Sequence, residues 1–179
     1  MAEELYTWVP FYTELANKLL PYKNDRAALI DKLQAMYESI DTKLPKLDDG
    51  GVPNDIDPFT IFGLFNKGIS SQNRRKIVAA LADVFCITAE LPNDFAGTPL
   101  LNNLNATFYA FIGDSRRGES DIDNLWDLFE AELALADADN PENRNAFAAA
   151  FDKTVGQFGL GWKLTMGLYW ALSLIHISE

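Results

Sequence analysis

At 179 residues the chain has the length of one domain, or of one domain with a small appendage. An apolar fraction of 48% with 12% aromatics supplies a packed core and excludes disorder as the starting assumption. The net charge of −11 is uneven, with 10 Lys/Arg against 13 Asp/Glu in residues 1–90 and 5 against 13 in residues 91–179. A surface basic throughout is thereby excluded, and contact with nucleic acid has to come from a local patch.

The first helix is expected over 5–20, where Trp8, Phe11, Tyr12, Leu15 and Leu19 recur at helical spacing. Pro21 ends or bends it. Asn24 then offers an N-cap to a second helix whose stripe is Leu29, Ile30, Leu33, Met36, Tyr37 and Ile40. Residues 41–56 read as a polar connection. The acidic pairs Asp48/Asp49 and Asp55/Asp57 are expected to be solvated loop charge, since no third ligand or glycine-spaced calcium loop accompanies them.

Asp57 and Pro58 carry the chemistry of a helix start. Phe59, Phe62 and Phe65 make the short helix that follows apolar around most of its circumference, so it is expected to be buried on several sides. Gly63 admits a close backbone approach, Gly68 is expected as the stop, and Ser70 or Ser71 caps the next helix, with Ile77, Leu81, Val84 and Phe85 inward. Between 61 and 82 stand Lys67, Arg74, Arg75 and Lys76 with no acidic residue. Three of these cations oppose the macrodipole at a helix start. A phosphate docked there resolves the conflict; a solvated face paired with acids elsewhere is the plain alternative.

Cys86, the only cysteine, excludes an internal disulfide and a cysteine metal cage, and its apolar neighbours predict a buried, inert thiol. Residues 91–121 are punctuated by Pro and Gly, and the run 106–112 fits either a strand or one short buried helix. Gly113 to Gly118 is a polar turn in which Arg116 and Arg117 offer a second anion contact, with a plain surface loop as the alternative. Asp121 opens an amphipathic helix with Leu125, Trp126, Leu128, Phe129 and Leu133 inward, inside a stretch from Glu119 to Glu142 holding nine acidic residues and no basic one. Asn140-Pro141 starts another helix, lined by Phe147, Phe151, Val155 and Phe158.

Residues 162–171 read as core sequence, whereas 172–179 do not continue their pattern and resemble the peptide obtained when a sequencing adapter is translated at the end of a truncated read. Domain boundaries are therefore expected at 1–171, with 172–179 a non-native tail that includes His176, the only histidine. The fold expected is mainly α, a single compact multi-helix domain with room for one short strand or hairpin near 104–112. No basic segment leads into an apolar run at the start, and 164–177 is too short for a membrane span, so a cytoplasmic setting is expected, without contact with a membrane. Nucleophilic triads, zinc, EF-hand and Rossmann patterns are missing; Gly159-Leu-Gly-Trp-Lys-Leu-Thr165 has the wrong spacing for a phosphate loop. No catalytic residue, cofactor or metal is expected. A small orphan enzyme is the weakest reading.

Several segments are together similar to the N-terminal region of McrB-like AAA-family NTPases, the motors of modification-dependent restriction systems. They include Trp8-Val-Pro-Phe-Tyr12, Asp57-Pro-Phe59 through Phe65-Asn-Lys-Gly68, Asp121-Ile-Asp-Asn-Leu-Trp126 and Thr165-Met-Gly-Leu-Tyr-Trp170. The resemblance spans about residues 5–171 and contains no catalytic signature. It implies a noncatalytic N-terminal module that recognises DNA or another target, with an AAA motor domain and a nuclease subunit as partners. Lys67, Arg74, Arg75 and Lys76 are the expected nucleic-acid contacts, with Arg116 and Arg117 weaker. The alternative is an assembly module whose acidic 119–142 face docks a basic partner or the motor.

Overall fold

The computed structural model describes residues 6–102 and 106–172, and folds them as a mainly helical single domain. In order come α1 (Val9–Leu19), a 3-10 turn (Leu20–Asn24), α2 (Arg26–Ser39), α3 (Pro58–Gly63), α4 (Ser71–Val84), α5 (Asp121–Asp137), α6 (Pro141–Thr154) and α7 (Trp162–Leu172). The run 106–112 forms neither strand nor helix; it is irregular, with Phe108 and Tyr109 buried. Residues 103–105 and 173–179, which include most of the expected non-native tail, lie outside the described residues.

The short α3 is the hub. Asp57 caps it, its Oδ2 accepting from the amides of Phe59 at 2.9 Å and Thr60 at 3.1 Å while the Thr60 hydroxyl donates to Oδ1. Phe59, Phe62 and Phe65 are fully buried, as their all-round apolar spacing requires. Phe59 meets Phe108 and Phe129 with ring centroids 5.6 Å away, and Phe62 stacks on Trp170 at 6.3 Å. α3 thereby packs on both α5 and α7. Burial of each ring contributes about 1.5–3 kcal/mol. Two glycines make the approach feasible. A Cβ at Gly63 would lie 3.0 Å from the Ala106 carbonyl oxygen, and one at Gly167 would lie 2.8 Å from the Phe59 ring.

Tryptophans tie the loops to this core. Trp8, Trp126 and Trp170 are fully buried, and each indole donates to a loop carbonyl: Ala96 at 2.7 Å, Ile56 at 2.8 Å and Pro99 at 3.1 Å. Burying the indole while satisfying its one donor is what lets a long connection stay in place without secondary structure. The Leu101 amide also donates to the Asn66 carbonyl at 2.8 Å, and the Gly68 amide to the Leu101 carbonyl at 3.2 Å, so Gly68 serves a backbone bridge rather than the end of α3.

Several expectations are corrected by these contacts. Asn24 closes the 3-10 turn, and Asp25 is the residue preceding α2. Asp48 and Asp57 are buried rather than solvated: the Asp48 carboxylate accepts from the amides of Ile112 at 2.7 Å and Asp49 at 2.8 Å and pairs with Arg117 at 2.9 Å. Asp55 pairs with Arg26 at 3.0 Å. On α6 the buried residues are Ala150 and Thr154; Phe147 and Phe151 are half-buried, and Val155 and Phe158 are exposed. Small residues face α5 there because the two helices lie close together along their length.

Cys86 is exposed, with φ +54°, at the left-handed position after α4. Its amide donates to the Asp83 carbonyl and the Ile87 amide to the Ala82 carbonyl, the paired bonds of a Schellman cap. Asp41, at φ +51°, ends α2 in the same way through bonds to Glu38 and Tyr37. A non-glycine residue costs roughly 1 kcal/mol in this conformation, so Cys86→Gly is expected to raise stability by about that amount. A thermal melt of the variant that shows no gain, or a loss, contradicts this account.

Candidate functional site

The expected basic edge begins where α3 gives way to α4. Ser70 caps α4, its Oγ accepting from the Asn73 amide at 3.1 Å. Arg74, in the first turn, is buried, and its guanidinium turns back to donate to the carbonyls of Phe65 at 2.8 Å and Lys67 at 2.7 Å, over the Phe95 ring. The conflict between a cation and the α4 dipole is thus resolved within the chain. Carbonyls that run on from α3 without helical partners take the charge that a phosphate was expected to take. Arg75 and Lys76 point to solvent; Arg75 donates to the Asn93 carbonyl at 3.2 Å, and neither forms an ion pair among the described residues.

The second basic pair is divided. Arg117 is held by buried Asp48 and lies over the Tyr109 ring at 5.3 Å. Arg116 is exposed, pairs with Asp114 at 2.9 Å and stacks over Phe158 at 3.7 Å. The acidic run is likewise engaged in part by the chain's own cations, with most of its acids at the surface. Glu132 and Asp121 are buried, Lys23 bridges Asp127 and Glu130, Arg26 pairs with Asp123, and Arg144 with Asp139.

Lys67 leaves the edge altogether. It is 6% exposed and lines a cleft of about 620 Å³ between α3, the 45–47 segment, the 106–114 segment and the start of α7. Among the described residues its ammonium makes no hydrogen bond or ion pair, and burial holds it below the ordinary lysine value. Lys163 enters the same cleft from α7, donating to the Thr107 carbonyl at 2.7 Å; burial lowers it too, against the pull of Asp57. Phe111 and Phe158 form aromatic walls, one beneath Lys46 at 5.8 Å and the other beneath Arg116. The Tyr109 hydroxyl, on the same wall, is buried without a hydrogen-bond partner among the described residues.

Among the described residues no acid of the cleft pairs with Lys67. Asp114 is engaged by Arg116, which lowers its carboxyl. Asp57 lies behind Thr60, one of the lining residues; complete burial pushes its carboxyl up to about 7, with the Thr60 hydroxyl and the cap amides pulling the other way. Among the described residues no group of three or more His, Cys, Asp or Glu is placed to hold a metal ion, and no helix is long and apolar enough to cross a membrane.

Of the six predicted contacts, only Lys67 lines the cleft, and Arg75 and Lys76 are exposed and form no ion pair among the described residues. Lys163, which also lines the cleft, is marked in the sequence only by its place in a Gly-Leu-Gly-Trp-Lys turn. Lys46, Phe111 and Phe158 carry no sequence signal, because they meet only through tertiary packing.

A model of the family described as "Domain of unknown function (DUF8425)" matches residues 8–175. No curated protein and no solved structure matches the chain.

Proposed function

We propose that this chain, which belongs to the DUF8425 family of unknown function, is a noncatalytic recognition module that contacts DNA within a McrB-like AAA restriction protein of the cytoplasm. The resemblance of its segments to the N-terminal regions of such proteins supports the assignment to that context. The observation that carries DNA contact is the Arg75–Lys76 pair: two adjacent exposed cations on α4, beside exposed Ser71, Gln72 and Asn73, with no carboxylate among the described residues bridged to either. Exposed Arg116 and Arg144 are already paired with neighbouring acids, and exposed Lys18, Lys43 and Lys46 each stand without an adjacent second cation in the sequence. The AAA motor and nuclease subunit belong to this proposal as partners.

Duplex DNA, native and base-modified, titrated against the protein over a series of salt concentrations tests the reading. Arg75→Ala with Lys76→Ala is expected to weaken binding to every duplex alike and to reduce the salt slope by about 2, one for each phosphate contact removed. Arg74→Ala is expected to lower stability instead, through the loss of its carbonyl bonds. DNA binding that is absent at low salt, or indifferent to the double substitution, ends this reading.

A further inference from the structure

The Lys67 cleft, of about 620 Å³, has a chemistry unlike that of the acidic chain around it. The chain carries a net charge of −11, yet Lys46, Lys67 and Lys163 all line the cleft, and among the described lining residues the carboxylate is that of Asp114, which Arg116 occupies. A lysine whose stem is buried and whose residue lines a cleft without a protein partner is an uncommon placement for a charge, since charged side chains are seldom buried unless paired. Lys67 is neither paired among the described residues nor replaced by an apolar side chain. Phe111 and Phe158 line the same cleft, each with one ring face toward a cation, Lys46 and Arg116 respectively.

We propose that this cleft binds a small organic anion, with its phosphate or carboxylate at Lys67 and Lys163 and a planar apolar portion against Phe111 and Phe158. An anion at Lys67 restores the Coulomb and hydrogen-bond energy that burial removes, in a site where water competes weakly. The aromatic walls contribute dispersion and area burial, and a cleft of about 620 Å³ suits a ligand of this size. Thr60, bonded to Asp57 and accepting from the Phe108 amide at 3.1 Å, holds the back wall in place. The site is separate from the α4 edge and does not depend on the nucleic-acid reading.

The probes are phenyl phosphate, benzoate, benzyl alcohol and inorganic phosphate, titrated calorimetrically into the full chain. Phenyl phosphate, benzoate or both are expected to bind more tightly than benzyl alcohol and inorganic phosphate; which of the two anions leads identifies the head group. Lys67→Met keeps the length of the apolar stem and is expected to weaken the aryl anion by at least about tenfold, the equivalent of one charge-assisted hydrogen bond. Phe158→Ala, at a half-exposed position that tolerates truncation, is expected to abolish the preference for phenyl phosphate over inorganic phosphate. Arg75→Ala with Lys76→Ala should leave phenyl phosphate binding unchanged, so failure of either proposal is read separately. The inference is overturned if neither aryl anion binds at about 10 mM. It is equally overturned if benzyl alcohol matches them, or if Lys67→Met folds, by its thermal melt, and binds as the parent does. Should Lys67→Met not fold, an unchanged preference in Phe158→Ala overturns it.

Discussion

Phe59→Ala is expected to lower the unfolding free energy by about 3–5 kcal/mol, enough to leave the domain marginal at 37 °C. Phe59 is fully buried where α3, α5 and α7 converge, with Phe108 and Phe129 each 5.6 Å from its ring and the Gly167 backbone against its edge. The void left by truncation has little means of closing, because Asp57 fixes the position of α3 and Trp170 fixes α7 through the Pro99 carbonyl. Phe147→Ala provides the contrast: Phe147 is half-buried on α6, where removed area is replaced by water rather than by a cavity. Urea unfolding at unchanged m-value measures both. A loss below about 1 kcal/mol at Phe59 refutes its role as the hub.

Replacement of Glu132 acts in the opposite direction. Both of its carboxyl oxygens are buried without a hydrogen-bond partner among the described residues, and burial raises its carboxyl well above the ordinary value. Glu132→Met is expected to stabilise the fold by about 1–3 kcal/mol at pH 7, the cost of an unsatisfied buried polar group. The pH dependence follows the same physics. Glu132 and Asp57 hold protons in the native state at pH values where the unfolded chain has released them, so their contributions favour folding most below about pH 4 and decline as pH rises, through about 7 for Asp57. Asp48 and Asp127, whose carboxyls are lowered, contribute oppositely: their stabilisation is present above the ordinary carboxylate range and fades as acid protonates them. Stability is therefore expected to peak between these limits, on the mildly acidic side, and to fall toward pH 8. Glu132→Gln should flatten the alkaline decline without the full gain of Glu132→Met. An alkaline limb unaltered by Glu132→Gln would falsify the assignment of that limb to Glu132.

How much of the site was legible follows from the same distinction between local and distant contacts. The four cations of residues 67–76 stand out in any reading of the sequence, but their fates diverge with direction: Arg74 turns inward to carbonyls, Lys67 into a cleft, and Arg75 and Lys76 to solvent. Helical spacing gives the direction of a side chain only relative to its own axis. Which carbonyls and rings wait there depends on segments tens of residues away.

By itself the sequence determined the helical class, the Asp57–Pro58 and Asn140–Pro141 starts, a serine cap at 70 or 71 and the buried phenylalanines of α3, because caps, prolines and apolar periodicity act within a turn or two of chain. Only the tertiary structure decided that Asp48 is a buried partner of Arg117, that Cys86 is an exposed left-handed cap, and that α6 presents alanine rather than phenylalanine to α5. It also brought Lys67 and Lys163 into one cleft. Burial and charge pairing are properties of what folds against a residue, and no local pattern encodes the far side of that contact.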